Sequence, residues 1–191
     1  MNLANVTVTR PMVEPELLAT IQSLHNEVYA EPPYLEGPDE VAEFIAQWNR
    51  QVALPGFELV LAHDEADGNL VGFCFGLPLR PRTRWWKGLL DPVDSSVTAE
   101  DGHRSFAIIE LAVRATHRRR GIGRALHDAL LTGCQQQRAV LLARPEAPPA
   151  VAAYANWGYH THGRLRPAPS APVYLAMSRE LGSSHLVPQV R

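Results

Sequence analysis

The spacing of apolar residues changes period several times along the chain, and each change marks a predicted element. Residues 5–10 alternate β-branched and polar side chains and predict a first strand. Over residues 14–29, Leu17, Leu18, Ile21, Leu24 and Val28 recur at helical spacing and predict an amphipathic helix. A link rich in proline and glycine follows, Glu31-Pro32-Pro33-Tyr34-Leu35-Glu36-Gly37-Pro38. The next helix is expected to start near Asp39, as its N-cap, and to run through Val41, Phe44, Ile45 and Trp48. Residues 57–62 and 70–78 are strand-like runs around the polar stretch 63–69, which predicts an antiparallel hairpin.

Residues 80–103 lose all periodicity. They hold Pro81, Gly88, Pro92 and Gly102 with Trp85-Trp86, and predict a long excursion, either a functional lid or a mobile loop. A strong strand over 106–113 and a strong helix over 121–134 come next, the helix with Ile122, Leu126, Ala129, Leu130 and Cys134 on one face. Residues 139–143 predict a short buried strand. Pro148-Pro149 then opens a short helix that Gly158 closes, because proline suits a helix start and glycine the residue past its end. Strands over 159–165 and 173–178 complete the pattern. Strands and helices in this order predict an α/β (α+β) protein.

The length of 191 residues fits one domain, which at this size buries roughly 70% of its unfolded surface. We expect that domain over residues 1–181, with 80–103 as an insertion and 182–191 as a frayed tail. Lys+Arg 18 against Asp+Glu 20 leaves a net charge of −2, which gives no drive toward nucleic acid or an anionic membrane. No apolar run approaches the ~18 residues of a membrane span, and the start resembles no secretory signal, so a cytoplasmic protein is expected. Cys74 and Cys134 are too few for a disulfide framework and match no zinc spacing, so no metal is expected. Both read as packing residues.

The segment with chemistry is Glu110-Leu111-Ala112-Val113-Arg114-Ala115-Thr116-His117-Arg118-Arg119-Arg120-Gly121-Ile122-Gly123-Arg124. A strand leads through a basic loop into a helix whose first turn holds two glycines. Amides at a helix start lack intrahelical partners and carry the positive end of the dipole. Glycine lets an oxyanion approach them, and arginines add charge-assisted bonds, so the turn suits a pyrophosphate. Three readings fit. A dinucleotide site wants G-x-G-x-x-G directly after the strand and an acid about 20 residues on; here Leu126 stands at the third glycine, although Glu146 is at a suitable distance. A solvated basic turn with no ligand is the second.

The third is a family resemblance. Arg118-x-x-Gly121-x-Gly123 on a strand–loop–helix resembles the acyl-CoA signature of the GNAT N-acyltransferase superfamily, and Tyr154-Ala-Asn-Trp-Gly158-Tyr159 resembles that family's short helix ending in Tyr-x-x-x-Gly-aromatic. The order of elements from residue 5 to about 180 is similar too. The resemblance implies a single-domain GNAT-like fold with a central mixed, mostly antiparallel sheet of six to seven strands flanked by about four helices. It also implies an N-acetyltransferase that moves an acetyl group from acetyl-CoA, its co-substrate, directly to a primary amine. The implied cofactor contacts are the backbone of Leu111, Ala112 and Val113 for the pantetheine arm, and Arg118, Arg119, Arg120, Gly121, Ile122, Gly123 and Arg124 for the pyrophosphate. Acetyl-CoA would lie between the strand ending at Val113 and the strand over 139–143. Where the family often has Asn seven residues before the tyrosine, this chain has Ala147, which removes one polar contact.

Tyr154 resembles the family's general acid, and a phenol near pKa ~10 is a fit proton donor to a departing thiolate. Its alternative is a structural tyrosine. Glu110 interrupts an apolar run and by alternation shares a face with Phe106, Ile108 and Ala112. Desolvation there would raise its pKa toward a general base, or it is a structural acid, or a bulge turns it away. His103 and His117 are weaker candidates. Trp85 and Trp86 either wall the acceptor or clamp the loop, and Glu27, Glu31, Glu36, Asp39 and Glu40 either attract a cationic amine or form a solvated face. The acceptor is a small-molecule or peptide amine of open identity; an exposed sheet edge leaves a homodimer open. The competing functions are a non-catalytic acyl-CoA-binding module and a Rossmann-type nucleotide enzyme.

Overall fold

The structure, a computed structural model, describes residues 5–182, so the tail expected from residue 182 lies, past Gly182, outside the described residues. In chain order the elements are β1 (Val6–Thr9), α1 (Leu17–Tyr29), α2 (Pro38–Gln51), β2 (Glu58–Asp64), β3 (Leu70–Pro78), α3 (Ser95–Thr98), β4 (Ser105–Val113), α4 (Ile122–Leu131), β5 (Arg138–Ala143), α5 (Pro148–Asn156), β6 (His160–Leu165) and β7 (Tyr174–Glu180). A 3-10 turn, Ala115–His117, lies between β4 and α4. The strand order is β1-β2-β3-β4-β5-β7-β6. β4 and β5 run parallel, while β1–β2, β2–β3, β5–β7 and β6–β7 are antiparallel, so the sheet is mixed and mostly antiparallel as expected. The helix beyond the expected four is the short α3 inside the excursion.

Element ends differ where backbone groups find better partners than the apolar pattern reveals. Residues 14–16 enter α1 as a turn, with the Leu17 amide donating to the Glu14 carbonyl at 3.1 Å. Gly37, not Asp39, is the N-cap of α2: the Glu40 carboxylate accepts from the Gly37 amide at 2.9 Å, and Pro38 takes the first position, where no N–H is needed. α4 stops at Leu131 because the Arg10 guanidinium caps it, donating to the carbonyls of Ala129, Leu130 and Thr132. Cys134 is therefore outside the helix and half-buried rather than a core residue.

The chain divides into two compact units, one made of the chain up to Leu77 with Ile109–Thr132, the other of Pro78–Ile108 with the chain from Gly133 on. In the first, Ile21, Leu24 and Val28 of α1 and Phe44 and Trp48 of α2 pack on Leu59, Leu61, Phe73, Phe75 and Ala112 of the strands. Each such side chain stabilises the unit by roughly 1.5–3 kcal/mol. On β3, Gly72 lets α4 sit down close: a Cβ there would stand 2.9 Å from the Leu126 side chain and 3.0 Å from the Ala112 carbonyl.

In the second unit the excursion is fastened rather than loose. Leu89 bridges Leu165, the Leu90 amide donates to the Arg164 carbonyl at 2.9 Å, and Arg164 holds Asp91 through Nε and Nη2 at 3.0 and 2.7 Å. This strap covers part of the β6 edge. Trp86 is the clamp: it is buried, donates from Nε1 to Glu100 at 3.0 Å, and lies under the Arg138 guanidinium at 5.4 Å.

Candidate active site

β4 carries the acid. Glu110 reaches α1, where its Oε2 accepts a 2.6 Å hydrogen bond from the Tyr29 hydroxyl, and both Ile109 and Ala112 beside it pack against the core cluster that α1 builds. Burial among apolar neighbours raises its pKa to about 7; the Tyr29 hydrogen bond opposes that rise, and the nearby Glu36 charge adds to it. Burial thus brings the titration of Glu110 far closer to neutral pH than that of an exposed glutamate. Tyr29 escaped the sequence reading, because a tyrosine at a helix end carries no sign of a partner on a strand 81 residues away.

The β4–β5 register covers only Ser105↔Arg138, Phe106↔Ala139 and Ala107↔Val140; among the described residues no further pair of these strands forms. Leu111–Val113 lie beyond that pairing. The Val113 carbonyl accepts from Arg118 Nε at 2.9 Å.

The glycine turn is built by backbone conformation. Gly121 has φ 84°, a left-handed value that a side chain would strain, and it serves as the N-cap of α4. Arg119, at φ 62°, shares that region. Ile122 is buried and packs the helix down, which leaves its amide, with those of Gly123 and Arg124, in the first turn of α4. Among the described residues, Arg119 and Arg120 are exposed and form no ion pair. The other two arginines are engaged: Arg118 Nη1 donates to Glu31 at 2.7 Å, and Arg124 Nε to Asp128 at 2.6 Å. A third tie, missed from sequence, joins His117 Nε2 to Asp64 at 2.9 Å. The arrangement fits an anion held by backbone amides beside the exposed Arg119 and Arg120, the latter also felt by Asp64, with Arg118 spent on the shape of the loop.

The acidic cluster at the helix link is largely occupied with structure. Glu27 pairs with Arg114 at 3.1 Å, Glu31 with Arg118, and Glu40 caps α2; Glu36 lies 3.7 Å from His25 Nε2. His25 is buried and its pKa falls to about 4 by desolvation, so it is neutral. Cys74 is fully buried, its thiol pKa pushed well up, which rules it out as an activated nucleophile. Among the described residues no group of three His, Cys, Asp or Glu side chains could hold a metal ion, and no helix is long and apolar enough to cross a membrane.

Tyr154 sits on α5 in the second unit, with ring edges against Trp157 at 5.4 Å and Tyr159 at 5.8 Å. Gly158, at φ 89°, ends that segment, and the Gly158 amide donates to Ala155 at 3.0 Å. Ala147, where the resemblance leads one to expect Asn, is buried and stands at the N-cap of α5. His103 is exposed, and Trp85 half-buried.

A sheet in which the pairs β1–β2, β2–β3, β5–β7 and β6–β7 are antiparallel is not the doubly wound parallel sheet of a dinucleotide fold, so the Rossmann reading falls. The model of the acetyltransferase (GNAT) family matches residues 21–159, spanning both the glycine turn and the Tyr154 helix. The chain belongs to the GNAT acetyltransferase family. Among solved structures, this GNAT chain is similar to a protein from Desulfovibrio desulfuricans described as a GNAT-family acetyltransferase (15% identity, 92% of this chain and 98% of that one, TM-score 0.64). It is similar also to the spermidine N-acetyltransferase of Vibrio cholerae in complex with CoA and spermine (18%, 93% and 96%, TM-score 0.58) and to Ard1 of Thermoplasma volcanium (18%, 93% and 99%, TM-score 0.58). At these identities the likeness establishes the shared fold. No curated protein matches this GNAT chain in sequence.

Proposed function

We propose that the protein transfers an acetyl group from acetyl-CoA to a primary amine. The observation that carries this reading is the turn in which Gly121, left-handed at the start of α4, follows β4 with Arg119 and Arg120 exposed beside it. In a GNAT chain that turn suits the CoA diphosphate. The likeness to a spermidine N-acetyltransferase crystallised with CoA and spermine supports CoA as donor and an amine as acceptor.

Each residue then has a task. The amides of Gly121–Arg124 with Arg119 and Arg120 hold the diphosphate, and the backbone of Leu111–Val113 pairs with the pantetheine amides. Glu110 accepts the proton that the amine loses on attacking the thioester carbonyl. Its pKa near 7 is matched to that work at neutral pH. Tyr154, assigned from its motif position, gives a proton to the departing sulfur. Transfer is assigned as direct, without an acyl-enzyme, in keeping with the burial that pushes the Cys74 thiol pKa well up.

The test is calorimetric titration with acetyl-CoA, with NADH as control and Gly121→Asp beside the wild type, followed by a panel of amines (spermidine, an aminoglycoside, a free amino acid, a lysine peptide and an N-terminal peptide). Micromolar binding that the variant abolishes, and acetylation of a panel member, are expected. Preference for NADH or absence of CoA binding overturns the reading; binding without transfer to any amine leaves a CoA-binding module.

A further inference from the structure

The proposed base has one oxygen held and one open. Glu110 Oε2 takes the Tyr29 hydroxyl at 2.6 Å, while among the described residues Oε1 accepts no hydrogen bond. The Tyr29 ring is confined, with the His25 ring 4.4 Å away on one side and the edge of Tyr34 at 4.8 Å. His25 is itself stacked on Phe44 at 3.8 Å. The end of α1 that presents Tyr29 is pinned to the β4–α4 segment on both sides. Glu27 pairs with Arg114 at 3.1 Å and Glu31 with Arg118 at 2.7 Å, both couples sharing a four-residue spacing. The Glu36 amide closes the end of the helix by donating to the Tyr29 carbonyl at 2.9 Å.

We infer that Tyr29 is the positioning residue of the Glu110 base: its hydroxyl occupies Oε2 and leaves Oε1 as the atom that receives the proton from the amine. The inference rests on the acetyl-transfer reading for the role of Glu110. The physical reason is directional. A carboxylate held through one oxygen cannot rotate freely about its terminal torsion, so the lone pairs of the other oxygen keep a fixed aim. The same bond keeps the base usable. α1 contributes Tyr29 and the neutral His25, the link contributes the negative Glu36, and β3 contributes the buried Cys74 thiol. None of these groups is a cation, so the phenol is the one that favours the charged form of Glu110.

The experiment follows the carboxyl carbons of 13C-glutamate-labelled protein through a pH titration, with the Glu110 resonance assigned by its absence in Glu110→Gln. Tyr29→Phe deletes one oxygen and keeps the ring, and a thermal transition that stays single and cooperative confirms that packing survives. The wild-type midpoint is expected at about 7 and that of Tyr29→Phe about one pH unit higher. With the amine of the panel that turns over fastest, kcat/KM of the variant then falls roughly five-fold at pH 7 and recovers by pH 9. An unmoved resonance overturns the proposal at Tyr29. A moved resonance with an unmoved rate profile overturns it at Glu110, through the base role on which it rests.

Discussion

Glu100 offers the severest test of the second unit. Its Oε1 receives three donors, Trp86 Nε1 at 3.0 Å, Ser105 Oγ at 2.7 Å and Arg138 Nη2 at 2.9 Å, while its buried Oε2 receives none. The side chains of Glu100 and Arg138 are 2% and 3% exposed. Glu100→Ala would leave the guanidinium without its counter-charge, still bonded to the Val97 carbonyl at 2.6 Å and to Ser105 Oγ at 2.7 Å. Breaking a buried pair from one side costs about 3–5 kcal/mol, and an orphaned indole N–H adds about 1 kcal/mol. We therefore expect a loss of about 4–6 kcal/mol, large against the 5–15 kcal/mol that typically separates a folded domain from its unfolded chain. Replacing both ions by methionine removes the uncompensated charge and should recover most of that loss. Urea unfolding followed by tryptophan fluorescence measures the wild type and both variants, with Trp86 inside the network as reporter. A single variant that loses under about 1 kcal/mol, or a double variant no better than the single, would refute the reasoning.

Other outcomes follow from the same structure. On the proposed acetyl-transfer mechanism, Tyr154→Phe should lower kcat about 10²-fold and leave the Kd for acetyl-CoA within about two-fold; full turnover would remove Tyr154 from that mechanism. Glu110 has a folded pKa raised from 4.5 to about 7, so its contribution to stability is lost as pH rises through that window, and Glu110→Gln should raise the Tm more at pH 8 than at pH 5. His25 has the opposite sign: its pKa is lowered from 6.5 to about 4, so stability is lost as pH falls through that range, and His25→Phe should flatten the acid limb of a Tm-against-pH curve. Arg10→Ala should destabilise by about 1 kcal/mol in the same urea assay, because the last carbonyls of α4 lose their cap.

The periods of Leu17–Val28 and of Phe106–Val113, and the proline-to-glycine span 148–158, were legible because each reports one element burying one face. So was the glycine turn, since φ 84° at Gly121 is a local demand that glycine meets at least cost. Glu110 could be marked as an acid in an apolar run, but its partner Tyr29 could not, and neither could the diversion of Arg118 to Glu31 or of Glu27 to Arg114. The excursion 80–103 was opaque for the same reason: Asp91 finds Arg164, and Glu100 finds Arg138, across separations that no period spans. By itself the sequence determined the main elements, their order and the candidates for holding an anion or carrying a proton, because those properties depend on neighbours in the chain. Only the tertiary structure decided which charges are spent on one another and which remain for a ligand, because ion pairing and desolvation depend on what the fold brings within a few ångströms.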